Sequence, residues 1–116
     1  MDSTRCSGWW EQMGIGRQEM DGLTVSIKED TISGGGYDVV GMFTLEGTLT
    51  NGSEVDMIKS YLDKHTVLYK GEYDGSSLMK GTWVMSYGNG PWEIRFRDKS
   101  DSISNRQNEI KNIISY

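Results

Sequence analysis

The stretch "GGGYDVVGMFTLEGTL", residues 34–49, alternates like a β-strand and yet contains five glycines. Gly41 and Gly47 fall in step with Phe43 and Leu45, on the face that a strand would bury. Glycine weakens a strand, but it also allows the sharp coiling that a small barrel needs at its corners. The stretch therefore predicts a strongly curved sheet, in which the glycines either bend the barrel or leave space inside it.

Outward from this stretch, alternating apolar runs recur at short intervals with turn signals between them. We expect turns at "ED" 29–30, a bend at "GGG" 34–36, and turns at "NG" 51–52, "DG" 74–75 and "GNGP" 88–91. Seven or eight strands joined in this way are antiparallel. They favour an up-and-down barrel, because closure removes exposed edges; a two-sheet sandwich is the alternative.

The chain of 116 residues fits one domain. We assign residues 1–100 to the barrel and residues 101–116 to a C-terminal amphipathic helix of the same domain. The helix is predicted because its isoleucines recur at intervals that place them on one stripe. They are Ile103, Ile110, Ile113 and Ile114. A helix of this kind would cover a barrel mouth or dock on a partner chain.

Charge and composition exclude several function classes. A net charge of −5 argues against nucleic acid and against an anionic membrane surface. The N-terminus lacks the apolar core of a signal peptide, and the single cysteine, Cys6, favours a reducing cytoplasm. With one histidine, His65, far from that cysteine, no metal site is expected, and no motif indicates a cofactor.

Lys59 is the most informative polar residue, since it shares the inward face with Met57 and Tyr61. A buried ammonium needs a carboxylate or phenol partner, or it binds an anionic group of a ligand; otherwise it lies near a strand end and reaches water. Large residues of the same parity complete a set of candidate lumen residues. The set is Phe43, Lys59, Tyr61, Tyr69, Tyr73, Trp83 and Trp92.

Other residues have structural roles as their first interpretation. Gly34, Gly36 and Asp38 are expected to organise a loop, with the aspartate accepting backbone N–H bonds. The four tryptophans are expected in the core or, grouped around a lumen, in an aromatic cage for an apolar or cationic ligand. They are Trp9, Trp10, Trp83 and Trp92.

A series of spaced motifs carries a family resemblance. "ISGGGYDVVGMF" (32–43) fits I-x-G-x-G-x-D-x-x-G-x-F and is followed by "V-x-M-x-K-x-Y" (55–61), "V-x-Y-x-G" (67–71) and "M-x-G-x-W" (79–83). The series resembles an uncharacterised family of small antiparallel β-barrel domains. The chain also resembles orphan proteins of integron gene cassettes, and its G-x-W strand is similar to those of lipocalin-like and avidin-like barrels. The resemblance implies a barrel and, by analogy of fold, a ligand-holding lumen.

The sequence thus favours a protein that binds an apolar or aromatic small molecule in its lumen. One alternative is an interaction or oligomerisation module with a filled barrel, acting through its outer face or C-terminal helix. Outward apolar residues would form that face: Val40, Met42, Ile58, Leu62 and Leu68. Another alternative is a cyclase-like or isomerase-like enzyme using Lys59 or a tyrosine, although binding is favoured over catalysis and no catalytic residue is assigned.

Overall fold

The computed structural model describes residues 3–97, and they form one closed barrel of eight antiparallel strands. Each strand pairs with the next along the chain, and β1 closes the barrel on β8. The predicted antiparallel barrel is therefore confirmed, whereas the predicted helix at 101–116 lies outside the described residues. The strands are β1 Thr4–Gln12, β2 Gly16–Lys28, β3 Thr31–Tyr37, β4 Met42–Thr50, β5 Glu54–Tyr61, β6 Thr66–Tyr73, β7 Leu78–Met85 and β8 Gly88–Phe96.

The turns divide between two ends of the barrel. The connections at one end, which we call the mouth end, are residues 13–15, 38–41, 62–65 and 86–87. The connections at the other end, which we call the far end, are residues 29–30, 51–53 and 74–77. At the far end, Asn51 and Gly52 have φ values of 54° and 73°, as a tight hairpin turn requires. Glu29 and Asp30 adopt positive φ values of 52° and 66° without any glycine.

Alternation sets the core. In β5, Val55, Met57, Lys59 and Tyr61 are buried, while the residues between them are exposed or half-buried. The same parity in the other strands fills the interior with large apolar and aromatic side chains. Lys59 is therefore held inside by the period of the strand that carries it.

Two of the inward glycines are required by close approach between strands. A Cβ on Gly47 would overlap the carbonyl oxygen of Asp56, and one on Gly81 would overlap that of Lys70 and the Cα of Gly71. Strand backbone thus occupies the space that a side chain would take. At these positions the glycines bend the barrel and do not make it hollow.

The β3–β4 region differs from its prediction. The prediction of a bend at 34–36 was wrong, because Gly34 and Gly36 lie within β3 and pair with Leu45 and Phe43 of β4. The chain turns at 38–41 instead, after the glycines, so Val39 and Gly41 are not part of a long strand. The last turn was also misplaced, since it falls at 86–87 and "GNGP" belongs to β8.

Candidate functional site

The loop at 38–41 brings Asp38 into the barrel. The aspartate and Gly41 bond each other through their backbones, with N–O distances of 3.0 and 3.1 Å, and Oδ1 of Asp38 accepts a bond from the Val40 amide at 2.9 Å. These bonds close the loop and aim the carboxylate inward, where its side chain is fully buried. Val40, predicted on the outer surface, is instead half-buried against the core.

Lys59, which β5 carries, meets this carboxylate inside the barrel. Its Nζ lies 2.7 Å from Asp38 Oδ2, 3.2 Å from the Tyr69 hydroxyl oxygen and 3.6 Å from Met20 Sδ. Each of the three ammonium protons thus has an acceptor, as a fully buried ammonium requires. The pair couples the mouth loop to the middle of β5 and β6.

Asp38 Oδ2 gathers two further donors. The Tyr61 hydroxyl donates at 2.7 Å and the Trp10 indole N–H donates at 3.1 Å. With Lys59 and the Val40 amide, four donors from two strands, β1 and β5, and the loop converge on one carboxylate. Every buried side-chain nitrogen or oxygen in residues 3–97 has at least one hydrogen-bond partner.

The environment sets the protonation states of this cluster. Burial opposes ionisation of Asp38, but the Lys59 ammonium and the Tyr61 hydroxyl outweigh it and hold the pKa below the usual range. Burial lowers the pKa of Lys59 to about 8, against the opposing pull of Asp38. Burial also raises the pKa values of Tyr61 and Tyr69. At pH 7 the pair is ionised and both phenols are protonated.

Only Trp10 of the four tryptophans expected to form a cage lies among the aromatic rings that surround Lys59. Its Nζ lies 4.2 Å from the ring centre of Phe43, 4.9 Å from Tyr61, 5.3 Å from Tyr69 and 5.5 Å from Trp10. Aromatic faces attract a cation at such distances, most strongly when water is excluded. The protein therefore supplies the cation from its own chain.

A cavity of about 250 Å³ opens above the cluster at the mouth end. Its inner wall is mainly apolar and aromatic, and Trp10 meets Trp83 edge to face at 6.3 Å. The inner residues are Trp10, Val40, Tyr61, Val67, Tyr69, Trp83 and Met85. The rim residues are Gln12, Ile15, Val39, His65 and Tyr87. The cavity is half-open to solvent, and its volume lies just below the range of about 300–1,000 Å³ of typical ligand pockets, so it suits only a small ligand of one or two rings.

The candidate lumen residues from the sequence divide into two groups. Tyr61, Tyr69 and Trp83 line the cavity, whereas Lys59 lies behind Tyr69 and is not part of the wall. Phe43 packs edge to face on Tyr61 at 5.9 Å and covers the ammonium.

Tyr73 and Trp92 lie away from the cavity. The indole of Trp92 packs on Tyr69 at 5.1 Å and donates to the Lys70 carbonyl at 3.2 Å. Tyr73 stacks on Phe96 at 5.6 Å near the far end. Both therefore contribute to the packed part of the barrel and have no contact with the mouth cavity.

Sequence reasoning missed several residues of the Lys59 cluster and of the cavity. Met20 follows the inward parity of β2, so alternation alone would have found it. Val40 depended on locating the loop at 38–41. Ile15 and Gln12 sit beside a turn that carries no strong two-residue signal, which is why they were not singled out.

Residues 3–97 hold no group of three or more histidine, cysteine or acidic side chains placed to bind a metal ion. Nor do they contain a helix long and apolar enough to cross a bilayer. Comparisons with protein-family models, with curated proteins and with solved structures gave no match for this chain.

Proposed function

We propose that the protein binds a small, mainly apolar or aromatic molecule in the mouth cavity. The observation that carries this proposal is a half-open, mainly apolar cavity of about 250 Å³ over a hydrogen-bonded polar floor. Binding pockets typically combine such walls with a few fixed polar groups. The floor is held by Lys59 and Asp38, so the cavity does not depend on the ligand for its shape.

The rim supports the same function. Ile15, Val39 and Tyr87 stand at the opening with more than half of their surface exposed. Apolar groups around an opening favour entry of an apolar molecule from water, and their exposure has no role in packing the barrel.

Titration with naphthalene, an apolar fluorescent molecule of two rings, tests the proposal. Met85→Trp fills the cavity from β7, and Val84→Trp places the same ring on the outer face of the same strand. We expect saturable binding by the wild type and by Val84→Trp, and at least about a tenfold loss in Met85→Trp, because the wall would occupy the ligand's space. Equal binding by both variants would contradict the proposal.

Self-association is a second candidate, favoured by one feature of the outer face. Ile58, Leu68 and Val84 are direct cross-strand neighbours on β5, β6 and β7, and all three are exposed. Three side chains cover much less than the roughly 800 Å² per partner of a stable interface. Light scattering of the wild type and Leu68→Lys would test it: a dimer that the variant abolishes would support self-association, and a monomeric wild type would contradict it.

A further inference from the structure

On the inner wall of the cavity, nearly all polar groups are committed to hydrogen bonds within the protein. The Trp10 indole N–H and the Tyr61 hydroxyl donate to Asp38, and the Trp83 indole N–H donates to the Glu11 carbonyl at 2.9 Å. A ligand that approached these three groups would find no donor proton free. They shape the cavity and do not select the ligand's polar group.

Tyr69 is different. Its hydroxyl oxygen accepts a hydrogen bond from the Lys59 ammonium. Within residues 3–97, however, the hydroxyl's own proton has no hydrogen-bond acceptor. The side chain is only 2% exposed and forms part of the cavity wall, so bulk water does not supply one freely. A buried hydroxyl donor without an acceptor costs free energy until a partner arrives.

We infer that the ligand, if the proposed binding function holds, is a neutral aromatic molecule with a carbonyl-type oxygen that accepts the Tyr69 hydroxyl proton. The ammonium of Lys59, at 3.2 Å, polarises that hydroxyl and makes it a better donor. Asp38 balances the ammonium charge, so the ligand needs no charge of its own.

A cationic ligand fits poorly at this place. The four rings that surround Lys59 Nζ already contact a positive charge, and a second cation beside Tyr69 would be repelled by it. The geometry therefore predicts different affinities for three classes of ligand that differ by one group. That group is an acceptor oxygen, a methyl group or an ammonium.

Three probes of equal heavy-atom number distinguish these classes. They are 2-acetylnaphthalene, 2-isopropylnaphthalene and 1-(2-naphthyl)ethylamine, titrated by calorimetry at pH 7. We expect both neutral probes to bind the wild type and the amine to bind most weakly. Stronger binding of the amine than of the ketone would overturn the inference, while the proposed function would stand.

Tyr69→Phe tests the donor, with Tyr73→Phe as the control on the same strand and the same inward face. In Tyr69→Phe we expect the ketone to lose about fivefold in affinity while the hydrocarbon changes less than about twofold, since one hydrogen bond to the ketone is removed. Tyr73→Phe is expected to leave both probes unchanged, because Tyr73 has no contact with the cavity.

The outcomes separate the two proposals. If the hydrocarbon binds in the cavity and Tyr69→Phe leaves the affinity for the ketone unchanged, this inference alone is overturned. If the wild type binds neither neutral probe, this inference and the proposed function are both overturned. Should Tyr69→Phe not fold, the carbonyl infrared band of bound, ¹³C-labelled 2-acetylnaphthalene gives the answer on the wild type. A shift to lower wavenumber than in hexane supports the hydrogen bond, and an unshifted band overturns it.

Discussion

The two ends of the barrel are built from opposite kinds of turn. The far-end turns contain only polar residues and glycine: "ED", "NGS" and "DGSS". Each mouth-end turn carries an exposed apolar or aromatic residue: Met13, Val39, Leu62 and Tyr87, with exposures of 96%, 72%, 67% and 67%. Since all these turns join strands of the same barrel, connection alone does not require apolar residues. Their confinement to the end with the cavity supports the binding that we propose there.

Two aspartates show the same contrast at closer range. Asp74, at the far end, is exposed and uses Oδ1 to accept bonds from the amides of Ser76, Ser77 and Leu78. Asp38, at the mouth end, accepts one amide bond and uses its other oxygen for Lys59 and two further side chains. The residue type and its loop position are alike, but only Asp38 joins its loop to the core.

Removing each aspartate gives the largest expected difference between the ends. Asp38→Ala leaves the Lys59 ammonium buried without its counter-charge, so we expect a loss of about 3–5 kcal/mol in the free energy of unfolding. Asp74→Ala breaks only exposed loop bonds and should lose much less. Urea unfolding at pH 7 measures both, and equal losses would show that the mouth-end pair is not special.

Replacing Asp38 and Lys59 together isolates the cost of leaving one buried charge without its partner. Asp38→Asn alone leaves a buried charge, whereas Asp38→Asn with Lys59→Met removes both charges. We expect the double variant to be more stable than the single one by about 2 kcal/mol, because a buried pair replaced as a whole is often close to neutral. A double variant no more stable than Asp38→Asn would mean that Lys59 is not held by the charge of Asp38.

Acid should weaken both ends, but through different aspartates. Lys59 and Tyr61, against the effect of burial, hold the pKa of folded Asp38 below its usual value, and three backbone amides lower the pKa of Asp74 to about 2. The unfolded chain therefore takes up these protons first, at about pH 4, and stability falls as the pH drops further. In thermal unfolding between pH 5 and 2, Asp38→Asn and Asp74→Asn should each show a shallower fall than the wild type. A slope unchanged in Asp38→Asn would contradict the ion pair.

The smallest effect is expected in the far-end turn at 29–30. Glu29 and Asp30 both have positive φ, a conformation that side chains with a Cβ rarely adopt. Glu29→Asn with Asp30→Gly should raise the free energy of unfolding by about 1 kcal/mol, because these residues suit such a turn. Asn51→Asp, in a turn that already has glycine second, serves as the control and should change little. The affinity of the mouth cavity for the probe should be the same in both variants. A changed affinity would show that the two ends of the barrel are coupled.

The barrel was predictable because its signals are local. Two-residue turns at 29–30 and 51–52 and strict alternation along β5 set the antiparallel order and placed Lys59 and Tyr61 inside. The glycine run at 34–36 led to a wrong prediction of a bend, since three consecutive glycines are typical of a bend. In this barrel they let β3 approach its neighbours, and a Cβ on Gly34 would overlap the Thr24 carbonyl.

The site was less predictable because it depends on distant parts of the chain. Alternation required a partner for Lys59, but nothing local identifies Asp38, which lies 21 residues away across two strands. The cavity depends on how side chains from β1, β6 and β7 fill the mouth, which no spacing rule specifies. That aromatic rings surround Lys59 itself also follows only from the closed barrel.

The four indole N–H signals in a ¹⁵N-correlated NMR spectrum test the central claim most directly. Trp10 and Trp83 line the mouth cavity, whereas Trp9 lines a groove on the outer surface and Trp92 is buried in the packed part of the barrel. On addition of 2-isopropylnaphthalene, binding in the mouth predicts that the signals of Trp10 and Trp83 shift while those of Trp9 and Trp92 stay in place. Shifts confined to Trp9 and Trp92, or no shift at a saturating concentration, would contradict it.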